Sequence, residues 1–106
     1  STIEQIDQTT AIASRAVSLI TAFATGGTRI GAALLTSRIP VLDLKKAELA
    51  ALTSSLTALR ATINATTDKE AIRTTSITAT NVNISATAKV FEINQTITSA
   101  IMDFNP

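Results

Sequence analysis

Between Pro40 and the terminal Pro106 the chain contains neither glycine nor proline, and nothing else in the sequence constrains the fold so strongly. A sheet needs tight turns between its strands, and the Gly and Pro that make them are missing over that span; within residues 77–90 Asn81 and Asn83 are the only candidates. Long uninterrupted helices meet the constraint directly. One stretch has a rival reading: Val82, Ile84, Ala86, Ala88 and Val90 alternate as in a half-buried strand, within residues 77–90, which are rich in β-branched Thr and Ile. The missing turn chemistry favours helix there as well.

Local signals divide the chain into four helices. Ser1-Thr2-Ile3-Glu4 reads as a capping box, so a first helix spans 1–25 and stops at Gly26-Gly27, where glycine tolerates the left-handed conformation that closes a helix. A short helix over 28–38 follows, weakened by Gly31. Pro40 disfavours a helical Ile39 and suits the first turn of a third helix over 40–66. Thr67-Asp68-Lys69-Glu70 is a second capping box, opening a fourth helix over 67–104. The expected class is all-α: an elongated bundle of three long helices plus one short one, in a single domain over residues 1–106.

The patterning gives these helices more apolar surface than one face each. In the third, Leu42, Leu49, Leu52, Leu56, Leu59 and Ile63 form a coiled-coil-like seam, while Ala47, Ala51, Ala58, Ala61 and Ala65 line the opposite side, where a second backbone can approach closely. In the fourth, Ile72, Ala79, Val82, Ala86, Val90, Ile93, Ile97, Ala100 and Phe104 make the main seam, with a four-residue stutter between Ala86 and Val90. Ile77, Ile84 and Phe91 recur at heptad spacing nearly opposite. In the first helix Ile3, Ile6, Ile12, Ala16, Val17, Leu19, Ile20 and Phe23 leave only a narrow wet strip at Glu4, Asp7, Arg15 and Ser18. A final helix of this length, at about 1.5 Å per residue, makes the monomer a rod, and a thin rod cannot bury stripes on opposite sides of its helices.

Composition narrows the chemistry. The chain has no Cys, His, Trp or Tyr, which removes thiol and imidazole chemistry, disulfides and the usual metal sites. A net charge of +1 gives no footprint for nucleic acid. No apolar run reaches the roughly 18 residues of a transmembrane helix. The carboxylates are scattered, with no close pair set for acid-base work. Thr25-Gly26-Gly27-Thr28-Arg29 has the look of an anion cradle but lacks the spacing and Lys of a phosphate loop, and it reads as a cap and turn. Ser1 has no neighbours that would make it an N-terminal nucleophile. Lys45, Lys46, Asp43 and Glu48, and Glu70 with Arg73, read as a solvated rim of local pairs; Lys89 and Glu92 read as solvated charge, for which pairing across a subunit boundary is the alternative. No catalytic, cofactor-binding or metal-binding residue is assigned, and a non-enzymatic protein is expected.

Three Asn-x-Ser/Thr sequences occur, at Asn64, Asn83 and Asn94, in a chain rich enough in Ser and Thr to produce one or two by chance. Starting at Ser1 without a charged or apolar leader, the chain fits a mature form after loss of a leader or of an initiator Met. A secreted or surface-assembled protein is the favoured setting. Ile93-Asn94-Gln95-Thr96-Ile97-Thr98-Ser99-Ala100-Ile101 resembles the C-terminal helix of type III secretion needle subunits, small cysteine-poor helical filament proteins. The chain differs from them in length and in lacking their Pro-containing turn between two helices, and no residue role is carried over.

Three functions are compatible with these features. The first is a structural subunit that assembles with copies of itself into a filament, tube or shell, with Ile77, Ile84, Phe91 and the Ala47, Ala51, Ala58, Ala61 and Ala65 stripe as its interface. The second is a small helical carrier of an apolar ligand or lipid, or a coat on an apolar surface. The third is a helical partner-binding module or secreted effector.

Overall fold

In a computed structural model of the protein, residues 1–25 and 35–104 are described. They form three helices: α1 (Thr2–Thr25), α2 (Ile39–Ala65) and α3 (Lys69–Phe104). Residues 77–90 are helical throughout, so the strand alternative does not apply. Most of the expected short helix over 28–38 lies outside the described residues, as does the expected stop at Gly26-Gly27; residues 35 and 36 are helical and 37 and 38 form a turn.

The helix starts follow the caps with small corrections. The Ser1 hydroxyl accepts the Glu4 backbone N–H at 3.3 Å, and the N-terminal amine lies 3.7 Å from the Glu4 carboxylate. Ile39 is helical in spite of Pro40, because a proline in the first turn withholds an N–H that no carbonyl awaits. The α3 cap is Asp68 rather than Thr67: its carboxylate accepts the Glu70 N–H at 3.3 Å, while the Thr66 hydroxyl accepts the Asp68 N–H.

The helices pack along their length, with overall extents of 55 × 20 × 20 Å and a radius of gyration of 16.6 Å. That exceeds the roughly 13 Å of a compact chain this long. The buried strip of α1 is Ile6, Thr9, Ala13, Ala16 and Ile20, and that of α2 is Leu42, Leu49 and Leu56. On α3 it is Ala79, Asn83, Ala86, Val90, Ile93, Ile97 and Ala100. On α1 and α3 these spacings alternate three and four, and on α2 they are seven, the repeat of a coiled-coil seam. The expected stutter is absent, since the repeat runs through Asn83 and leaves Val82 half-buried at its flank.

Threonine is accommodated within the helices. The hydroxyls of Thr74, Thr78, Thr80 and Thr96 each donate to the carbonyl four residues earlier, as do those of Thr21, Thr25, Thr57 and Thr62. The hydroxyl is thereby satisfied without competing for the helix N–H groups. Core burial by Leu and Ile offsets the lower helix propensity of these residues.

Candidate interaction surface

The three seams of the bundle are not alike. The α2–α3 seam is edged by charge. Lys89 Nζ lies 2.8 Å from both Glu48 and Glu92, Lys45 reaches Glu92 at 3.5 Å, and Arg38 pairs with Asp103 at the far end. Lys89 and Glu92 pair locally at i,i+3, and Lys45 and Glu48 reach across to them instead of pairing with each other, so the four groups join two helices of one chain. Hydrogen bonds from Lys89, with the positive charge of Lys45 beside it, hold the Glu92 carboxyl below its ordinary range, and Glu48 and Glu92 raise the Lys89 ammonium. The α1–α2 seam carries a bidentate pair, Arg60 with Asp7 at 2.8 and 3.1 Å, which lowers the Asp7 carboxyl. Glu70 and Arg73 do pair locally, as their spacing implied.

Among the described residues no ion pair joins α1 to α3. That seam contains the two buried polar residues, Thr9 and Asn83. Asn83 is 8% exposed, and neither its amide nitrogen nor its oxygen has a hydrogen-bond partner within the protein. Both residues border a shallow groove of about 410 Å³, shared with Gln5, Gln8, Thr80 and Thr87 and flanked by Ile12 and Ile84. Farther along the same seam Ile12, Arg15 and Leu19 face Val90 and Asn94 across a smaller depression.

The lips of this seam are apolar. On α3, Ile77, Ile84 and Phe91 are 53%, 63% and 61% exposed, and on α1 Ile12 and Leu19 are 37% and 39% exposed. Ile84 and Phe91 each follow a buried residue, Asn83 and Val90, and Ile84 borders the α1–α3 groove; from Ile77 to Phe91 the ridge extends about 21 Å at 1.5 Å per residue. Ala47, Ala51, Ala58, Ala61 and Ala65 are all exposed on α2. The two sets lie on different helices, and the fold brings neither into the core. Sequence reading identified the ridge and the alanine stripe; it missed Thr9 and Asn83, whose only signal is the unbroken three-four spacing of the buried strips.

A second groove, of about 320 Å³, lies between α1 and α2 over Ala13, Val17, Leu49 and Ala50, with Ser14, Ser18 and Lys46 at its edges. Ser1 is committed to capping α1. Among the described residues no three Asp or Glu side chains gather as a metal site would require, and no helix is long and apolar enough to cross a membrane. The chain matches no family model, no curated protein and no solved structure.

Proposed function

We propose that the protein is a non-enzymatic structural subunit that assembles with copies of itself through the apolar lips of the α1–α3 seam into a filament, tube or shell. The observation that carries this reading is the Ile77, Ile84 and Phe91 ridge, three large apolar side chains more than half exposed in one line on the longest helix. An isolated exposed leucine or isoleucine is ordinary, whereas a continuous line with a second apolar lip beside it is a face that gains from being covered. Covering the exposed half or so of one such side chain contributes roughly 1–2 kcal/mol, so a few per contact, repeated over many copies, hold an assembly together. If the face meets a different face of the next copy, growth does not close and the product is helical.

The test is light scattering on a sizing column over a concentration series, with electron micrographs of the leading fraction. Wild type forms large regular particles; Ile84→Asp keeps its helical circular dichroism and needs at least about tenfold more protein to assemble, as loss of one apolar contact of this size implies. A wild type that elutes as an 11.1 kDa monomer at every concentration, or an I84D variant that assembles as readily, overturns the reading.

A second reading, a carrier of an apolar ligand or a coat on an apolar surface, is favoured by the α1–α2 groove, whose floor of Ala13, Val17, Leu49 and Ala50 is almost wholly apolar. Its signature is binding of a fatty acid or an apolar dye by a stable monomer.

A further inference from the structure

The fold treats the three Asn-x-Ser/Thr sequences differently. In Asn83-Ile84-Ser85 the asparagine is enclosed between α1 and α3, and a sugar on its amide would hold those helices apart. In Asn94-Gln95-Thr96 the asparagine is exposed but lies inside α3, in the depression shared with Ile12, Arg15 and Leu19, and the Thr96 hydroxyl donates to the Glu92 carbonyl. Asn64-Ala65-Thr66 differs from both. Asn64 is exposed in the last turn of α2, and Thr66 has left the helix with an extended backbone, φ −120° and ψ 149°. This sequence alone of the three runs from a helix end into a surface connection, the setting in which an asparagine and the hydroxyl two residues on are presented together.

We propose that Asn64 is a modification site, the acceptor of an N-linked oligosaccharide, and that Asn83 and Asn94 stay unmodified. The donor is an oligosaccharide carried on a lipid pyrophosphate. The Asn64 amide nitrogen bonds to the anomeric carbon, the bond from that carbon to the pyrophosphate oxygen breaks, the lipid pyrophosphate leaves with the electron pair, and the nitrogen gives up one proton. No oxidant or reductant enters. The glycan projects from the end of the rod where α2 turns into α3 and leaves the long sides uncovered. The assignment stands independently of the assembly reading.

The test expresses the full chain behind a cleavable secretory leader in a eukaryotic host and measures intact mass before and after peptide N-glycosidase. The expected result is one oligosaccharide per chain, lost in Asn64→Gln and retained in Asn83→Gln and Asn94→Gln. Peptide mapping of the glycosidase-treated wild type, in which the modified asparagine becomes aspartate, places the site without relying on any variant. A wild type that emerges unmodified, or one that carries its glycan at Asn83 or Asn94, overturns the proposal.

Discussion

Asn83 shows most sharply how packing overrides local preference. Its neighbours Val82 and Ile84 are the better core residues by composition, yet the three-four repeat that buries Ala79, Ala86, Val90 and Ile93 turns Asn83 inward and leaves Ile84 outside. The amide loses its hydration and gains no partner, which costs roughly 1–3 kcal/mol. Asn83→Leu, close in shape and without polar atoms, is therefore stabilising by about that amount. Thermal unfolding followed by circular dichroism should shift upward by roughly 4–8 °C for each kcal/mol recovered. A lower midpoint would mean that the amide is satisfied by an ordered water in solution. Reading the sequence for hydrophobicity placed Val82 on the seam and created a stutter; reading it for spacing alone recovers Asn83 and Thr9. Residue chemistry misled here because a seam position that holds a polar side chain is written in the geometry of its neighbours.

At the scale of elements the sequence was more legible, because capping and helix breaking are local. Ser1, Pro40 and the Thr66–Asp68 connection mark helix ends to within a residue or two, and the leucine repeat of α2 marks its buried side. What one helix cannot disclose is which charges leave it. Lys45 and Glu48 have plausible partners three or four residues away, and only docking shows that they reach Glu92 and Lys89 on α3. Those pairs, together with Arg60–Asp7 across the α1–α2 seam, make the stability of the bundle pH-dependent. Glu92 and Asp7 titrate below the ordinary carboxylate range in the fold, so they stabilise it above their unfolded pKa of about 4, and the contribution is lost as pH falls through the folded values. Lys89 is raised, so its contribution is complete below the ordinary lysine value of about 10.4 and is lost as pH rises through the higher folded one. The unfolding temperature should thus form a plateau between those limits and decline at both ends. Glu92→Gln should flatten both declines, since it removes a partner of Lys89 together with the titrating carboxylate. Parallel profiles for wild type and E92Q would show that these solvent-bathed pairs add nothing measurable.

The shape of the whole molecule was legible because it follows from the length of one helix: α3 alone, at about 1.5 Å per residue, accounts for the 55 Å long axis. How copies would meet in the proposed assembly was not legible, since a stripe is one-dimensional in sequence and becomes a surface only when another helix supplies its second lip. Ile12 and Leu19 supply that lip, and with it a direction. The apolar line lies along the rod and not across its ends, so contacts that cover it must be lateral. Small-angle scattering over a concentration series distinguishes the two geometries. At low concentration the radius of gyration should approach 16.6 Å. If the proposed assembly is right, rising concentration should increase the cross-sectional radius before the length, because burying a side stripe thickens a rod first. Particles that lengthen at constant cross-section would place the contacts at the ends, where the Asn64 connection lies, and would remove the ridge from the interface. Phe91→Ala separates these cases again: it shortens the lateral contact by one of its three large anchors, and should leave end-to-end growth untouched.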